Sequence, residues 1–125
     1  MSCIAKGTSL TSWIVLVARR HIEALADLTT EEATELGPLI TTISRALPHL
    51  VDCAKTYLAQ FAEHPLHPHV HVHVIPRSAD MADNERGPRV FAAHLGVGPE
   101  REVPVDARDA IAPHCGVHFL MRASD

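Results

Sequence analysis

Residues 65–77, with the sequence PLHPHVHVHVIPR, place a histidine at every second position and fill most of the gaps with valine. Successive side chains on a β-strand point to opposite faces, so the histidines share one face at intervals of about 6.6 Å and the valines share the other. The pattern predicts a strand in which Pro68 occupies the first position and Pro76 marks the end. The histidines of this pattern are His67, His69, His71 and His73.

A row of imidazoles on one strand face has three interpretations. The first is a solvated polar face. The second is a metal site, because imidazole is a common nitrogen ligand of zinc and copper. The third is a site that reacts with phosphate, in which a neutral imidazole is the nucleophile and its neighbours donate hydrogen bonds to phosphoryl oxygens. The spacing alone leaves all three open.

The composition predicts one small domain over residues 1–125, because a chain of 125 residues with 46% hydrophobic residues can bury a single core. A net charge of -4 and a pI near 6.2 argue against a nucleic-acid polymer as partner, which would require a broad basic surface. The three cysteines are far apart and lack CxxC spacing, so we expect neither a disulfide framework nor a cysteine zinc site.

The chain has no charged start followed by an apolar run and a small-residue cleavage site, and no apolar stretch approaches the length of about 18 residues that spans a bilayer. We therefore expect a cytoplasmic protein that does not associate with membranes.

The remaining segments predict an α+β domain with an antiparallel sheet. The apolar run 13–18 and the alternating run 55–62 read as strands, and the second is expected to form a hairpin with the histidine strand at the centre of the sheet. Residues 3–5 form at most a short edge strand. Residues 90–95 offer one more possible strand, and the tail 96–125 gives conflicting signals.

Residues 29–52 are the main helix candidate. Thr29 followed by Glu32 fits a capping box, and apolar residues then recur at helical spacing. Gly37 and Pro38 interrupt the pattern without changing its phase, so a kink is expected there rather than a break. The apolar face of this helix is expected to pack on one face of the sheet.

The segment His69-Val-His-Val-His-Val-Ile75, followed by Pro76-Arg77, resembles the His-φ-His-φ-His-φ-φ motif of the histidine triad (HIT) family of nucleotide hydrolases and transferases. Residues 13–28 resemble the second-strand segment of that family, and residues 57–63 resemble the strand before the triad. The resemblance covers roughly residues 10–95. It implies a HIT-like fold, a homodimer and no cofactor.

The resemblance also implies a reaction: attack on the α-phosphate of a nucleotide derivative, such as a dinucleoside polyphosphate or a nucleoside phosphoramidate, through a nucleotidyl-histidine intermediate. By motif position, His71 is the nucleophile. His69 orients it together with a backbone carbonyl that fixes the reactive tautomer. His73 hydrogen-bonds the phosphate or the leaving group.

Three further residues are candidates for substrate binding. Arg77 follows the motif directly. Glu63 lies roughly where family members have an amide residue that contacts the phosphates, although a carboxylate there would repel the substrate. His67 precedes the triad.

One departure from the family pattern concerns Trp13, which stands eight residues before His21. Many family members have a fourth histidine at that position, which supports the first member of the triad. Either activity or substrate preference changes with its loss, or His67 takes its place. The competing function is a module that binds a metal ion or a nucleotide without catalysis.

Overall fold

The computed structural model describes residues 2–4, 10, 12–63, 65–66 and 68–95. Most of this part of the chain forms a four-stranded sheet and two helices. In chain order the elements are β1 (Ser2–Ile4), β2 (Ile14–Val17), α1 (Thr30–Leu50), β3 (Lys55–Ala59), β4 (His71–Arg77) and α2 (Arg89–His94). Short 3-10 turns lie at Leu25–Asp27 and Asp83–Glu85.

The sheet has the strand order β1-β2-β4-β3, and every neighbouring pair is antiparallel. The predicted α+β class and the predicted pairing of β3 with β4 are confirmed. The prediction that this pair forms the centre of the sheet is wrong, because β3 is an edge strand and the central pair is β2 with β4. The long apolar segment at β2 supplies a strand that is covered on both sides by other strands, which leaves β3 at the edge.

The histidine strand differs from its prediction at both ends. It begins at His71 rather than Pro68, and it continues through Pro76 to Arg77. The backbone carbonyl of Arg77 accepts a hydrogen bond from the Ala54 N–H, 2.8 Å away, on the β3 side. Because adjacent residues of an antiparallel strand direct their polar groups to alternate sides, Pro76 directs its nitrogen toward β2. The β2 ladder has already ended there, at the pair of Ile14 with Val74. Proline therefore costs this strand no hydrogen bond.

Helix α1 begins with the predicted capping box. The Thr29 hydroxyl accepts a hydrogen bond from the Glu32 N–H at 3.2 Å, and the Glu32 carboxylate accepts one from the Thr29 N–H at 2.8 Å. The helix continues through Pro38 and Pro48. A proline ring clashes with the Cβ of the residue before it in helical backbone, and Gly37 has no Cβ, which eases the passage. None of the helices in the described ranges is long and apolar enough to cross a membrane.

One face of the sheet packs against α1. The buried residues of this core are Ile14, Leu16, Ile43, Leu47, Val72 and Val74. A neighbouring cluster continues the same face with Ala18, Ile22 and Val70. The valines of the alternating stretch thus lie in the core, and the predicted packing of the helix on one sheet face is confirmed.

The opposite face of the sheet is partly covered by the segment after β4. Trp13, Ile75, Met81 and Val90 form a second buried cluster there. The prediction of a strand over residues 90–95 is wrong, because residues 89–94 form α2. Pro88 precedes the helix with αR backbone angles, and proline favours the start of a helix. The expected signals of the tail 96–125 fall outside the described residues.

Candidate active site

The triad lies on the face of the sheet opposite α1. Val72 and Val74 point into the core beneath the helix, so His71 and His73 point to the other side. His69 stands two residues before the start of β4. The rings of His71 and His73 are 4.9 Å apart and nearly perpendicular. The structure therefore brings the two histidines of the strand into direct contact on the face that the sequence predicted for chemistry.

His69 is held by two backbone groups beyond the end of β2. Its Nδ1 accepts a hydrogen bond from the Ile22 N–H at 3.2 Å, and its Nε2 lies 2.7 Å from the Ala18 carbonyl oxygen. Since a carbonyl oxygen only accepts, Nε2 must donate, and the ring is fixed as the Nε2–H tautomer. His21 stacks on it with ring centroids 5.1 Å apart. Both nitrogens of His69 are thus engaged within the protein, which makes this side chain a positioning group.

His71 is oriented by the main chain of His69. Its Nδ1 lies 2.8 Å from the His69 carbonyl oxygen, so Nδ1 carries a proton and donates it to that oxygen. In the neutral ring the lone pair is then on Nε2. The predicted tautomer-fixing carbonyl is present, and it belongs to the first histidine of the triad. His71 is half-buried, which leaves the ring accessible from solvent.

His73 is buried, with 6% of its surface exposed. The Trp13 indole Nε1–H donates a hydrogen bond to its Nδ1 at 3.0 Å. Burial, with a smaller contribution from nearby His71, lowers the pKa of His73 from 6.5 to about 4. His73 is therefore neutral near pH 7, and because Nδ1 accepts a hydrogen bond, its proton is on Nε2.

Aromatic rings surround His73 on the side of α2. The Phe91 ring lies edge-on at 5.0 Å from the His73 ring and at 5.3 Å from Trp13. Phe61 continues this wall at 5.3 Å from Phe91, and it is 58% exposed. Such a wall lowers the local dielectric, which strengthens hydrogen bonds to a charged group at the triad.

Of the three candidate substrate-binding residues, Arg77 lies away from the triad. Arg77 is six residues along β4 from His71, which corresponds to roughly 20 Å of strand, and its guanidinium donates to the Ser78 carbonyl oxygen at 3.2 Å. Glu63 is exposed in the segment after β3. His67 lies outside the described residues, so its proposed replacement of the fourth histidine stays a prediction.

The position of Trp13 shows what sequence reasoning missed. The resemblance places Trp13 at a position that supports the first histidine, whereas in the structure it contacts the third. The sequence pattern predicts a strand at Phe91 and no role in the site, whereas this residue lies in α2 and contacts His73. The spacing of Phe91 within α2 and the proline before it were the available signals, but a helix of six residues is too short to show periodicity.

The described residues contain no group of three or more His, Cys, Asp or Glu side chains arranged to bind a metal ion. His69 illustrates why the described histidines of the row do not form such a group. Its two ring nitrogens already make hydrogen bonds to Ala18 and Ile22, so metal ligation would break one of them.

Comparison of the sequence with protein-family models and with curated protein sequences gives no match.

Proposed function

We propose that the protein is a nucleotide hydrolase or nucleotidyl transferase that acts at the α-phosphate of a nucleotide derivative through an intermediate on His71. The observation that supports it most is the 2.8 Å hydrogen bond from His71 Nδ1 to the His69 carbonyl oxygen. That bond leaves the Nε2 lone pair directed away from the main chain. The resemblance of residues 69–75 to the triad motif supports the nucleotide as substrate, and a HIT-like fold and a homodimer belong to the same proposal.

The reaction has two steps. In the first, the Nε2 lone pair of His71 attacks phosphorus, and the bond from phosphorus to the leaving group breaks with its electron pair on the leaving group. The imidazole then carries a positive charge, which the His69 carbonyl oxygen stabilises through the Nδ1 proton. In the second, water or another acceptor attacks phosphorus, and the bond from phosphorus to Nε2 breaks with its electron pair on Nε2. The attacking group loses its proton to solvent, and His71 is neutral again.

The neighbouring groups fit this sequence of events. The Nε2–H of His73 can donate a hydrogen bond to a phosphoryl oxygen without adding a positive charge of its own. The aromatic ring of Phe91 limits water around His73. Positioning of this kind contributes much of the rate in reactions of phosphate esters.

The test is to trap the intermediate. Protein is mixed with α-labelled dinucleoside polyphosphates and nucleoside phosphoramidates of adenosine and guanosine, quenched with acid-free denaturant after milliseconds, and digested for peptide mass spectrometry. We expect the nucleotidyl group on His71. His71→Ala is expected to form no adduct, and its turnover should fall by a factor of about 10⁴ or more.

His49→Ala is the matched control, since His49 is an exposed residue near the end of α1 on the other side of the sheet. It should retain the adduct and the wild-type rate. A label on His69 or His73, or wild-type turnover in His71→Ala, would show that the proposed mechanism is wrong.

A further inference from the structure

Among the described residues, Trp13 makes the one hydrogen bond to Nδ1 of His73. Its side chain is 1% exposed and lies immediately before β2, and the N–H to Nδ1 distance of 3.0 Å connects residues 60 positions apart in the chain. The indole also lies edge-on to Phe91 at 5.3 Å. Packing on this scale fixes the indole in place, so the direction of its N–H is a property of the fold.

An indole N–H can donate a hydrogen bond but cannot accept one. If His73 took up a second proton, its Nδ1–H would point at the Trp13 N–H, and two donors would face each other. A hydroxyl or an imidazole in the same place could turn or change tautomer and become the acceptor. Tryptophan cannot.

The other contacts of His73 do not favour a charged ring either. Its ring neighbours are His71, Phe91 and Trp13. Among the described residues, no hydrogen bond or ion pair joins His73 to a carboxylate. His71, the one titratable ring in contact with it, acquires positive charge in the proposed reaction, and that charge opposes protonation of His73 further.

We propose that Trp13 locks His73 as a neutral Nε2–H donor and thereby limits the substrates to nucleotide derivatives whose leaving group departs as a weakly basic anion. This inference rests on the function proposed above. As Nε2 of His71 bonds to phosphorus, the bond to the leaving oxygen breaks, and the electron pair stays on that oxygen. His73 stabilises the resulting anion with a hydrogen bond and keeps its proton.

The substrate class follows from that proton balance. Phosphate, pyrophosphate, a nucleoside polyphosphate or a carboxylate can leave without being protonated. An alkylamine cannot leave as its anion, so a phosphoramidate needs an acid that His73 does not supply. Of the two substrate types implied by the resemblance, mixed anhydrides such as dinucleoside polyphosphates are therefore favoured over phosphoramidates.

The experiment measures how strongly the rate depends on the basicity of the leaving group. A series of aryl esters of adenosine 5′-monophosphate, with phenols of increasing basicity, and one alkyl phosphoramidate are compared at pH 7 by kcat/KM. The proteins are wild type, Trp13→His, which restores a side chain able to exchange protons, and Trp13→Phe, which keeps an aromatic ring without the N–H. A guanosine series is run in parallel.

For wild type we expect kcat/KM to decline steeply as the leaving group becomes more basic. The alkyl phosphoramidate should be slower than the most activated ester by a factor of about 10² or more. In Trp13→His, kcat/KM should depend less steeply on leaving-group basicity, and the ratio of kcat/KM between the most activated ester and the phosphoramidate should fall at least about tenfold. The reason is that an imidazole at position 13 can accept a hydrogen bond from a protonated His73, which can then act as a general acid. A purely structural role of Trp13 would instead lower the rate for all substrates by a common factor. Coinciding slopes in the three proteins, or a wild type that cleaves the phosphoramidate within tenfold of the most activated ester, would overturn the inference.

Two further measurements make the result independent of variant folding. The ¹⁵N chemical shifts of the His73 ring in wild type should show an unprotonated Nδ1 and a protonated Nε2 from pH 8 to 5, and a protonated Nδ1 in that range would overturn the inference. The most activated ester also serves to trap the adduct on wild type. Absence of an adduct on His71 would overturn the proposed function and this inference with it, whereas an adduct together with coinciding slopes overturns only the inference.

Discussion

The backbone and the side chain of His69 serve different purposes in the site. Its carbonyl oxygen fixes the tautomer of His71, and its ring connects the start of the triad to the end of β2 through Ala18 and Ile22. Substitution of the side chain leaves the carbonyl in place. The two roles are therefore separable by mutation.

We expect His69→Ala to lower the free energy of unfolding by about 2–3 kcal/mol, since the backbone groups of Ala18 and Ile22 lose their partner. His69→Gln should lose less than about 1 kcal/mol, because one amide can donate to the first group and accept from the second. Both variants should retain a trappable adduct on His71, with the slower turnover in His69→Ala. Urea denaturation and single-turnover kinetics measure the two effects. An adduct lost as completely in His69→Gln as in His71→Ala would contradict this division of roles.

The lowered pKa of His73 makes stability depend on pH. In the unfolded chain this ring takes up a proton near its ordinary pKa of 6.5, and in the folded protein only near 4. Between pH 4 and pH 6.5 the unfolded state therefore binds more protons than the folded state, so raising the pH toward neutrality stabilises the folded protein. From this residue we expect a constant contribution above about pH 7 and a loss that grows to about 3 kcal/mol as the pH falls from 6.5 to 4.

Urea denaturation at several pH values, on wild type and His73→Gln, isolates that contribution. Glutamine retains an acceptor for the Trp13 N–H and does not titrate, so the variant should lose stability less steeply with falling pH. Equal pH dependence of the two proteins would show that His73 is not the residue responsible.

At the scale of elements, Pro38 is a local weakness in α1. It lies in the helix interior on an exposed position, where its missing N–H removes the hydrogen bond to the Thr34 carbonyl. Pro38→Ala should restore that bond and raise the free energy of unfolding by about 1–2 kcal/mol, the helix gain of about 3 kcal/mol being offset in part by greater freedom of the unfolded chain. Thermal denaturation measures the change. Thr42→Ala, at an exposed position of the same helix, is the control, and its free energy of unfolding should differ from that of wild type by no more than about 0.5 kcal/mol. A Pro38→Ala variant less stable than wild type would contradict the argument.

The elements that sequence predicted well are those whose signals are local. The capping box at Thr29 and the strand alternation through residues 71–75 depend on neighbours in the chain, and both are present in the structure. The sheet order depends on distant segments and was predicted only in part. β4 can contain Pro76 because the pairing with β2 ends before this residue. The sequence around Pro76 does not indicate where β2 ends.

The same distinction applies to the candidate site. The alternation of histidine and valine predicts that His71 and His73 share one face of a strand, and this prediction requires no knowledge of the fold. The protonation of each ring depends on partners 47 to 60 residues away for His69 and His73. These contacts arise from tertiary packing and set which nitrogen of His69 and of His73 carries the proton. The tautomer of His71 is instead set locally, by the His69 carbonyl oxygen.

At the scale of the whole molecule, the resemblance to the HIT family predicts a homodimer, and β3 is a suitable place for it. β3 is an edge strand, and edge strands have unpaired backbone groups on one side. Leu58 on this strand is 55% exposed. Phe61 and Leu66, which follow the strand in the chain, are 58% and 78% exposed. An exposed apolar side chain on an edge strand, followed in the chain by two more, favours association.

Light scattering at micromolar concentration should therefore give about twice the protomer mass of 13.6 kDa. Leu58→Lys should shift the mass toward the protomer, because a buried ammonium group at an apolar contact is unfavourable. Thr42→Lys, on the exposed side of α1, provides the matched control and should leave the mass unchanged. A wild-type mass near that of the protomer would rule out the dimer.

Trp13 is the one tryptophan in the chain, and it donates its indole hydrogen directly to a triad histidine. The tryptophan emission of the protein therefore originates inside the candidate site. Indole emission responds to a change of charge or hydrogen bonding at its N–H, so ligand binding and adduct formation can be followed in real time without an attached dye. The residue that departs from the pattern of the HIT family thus also gives the protein its own optical reporter.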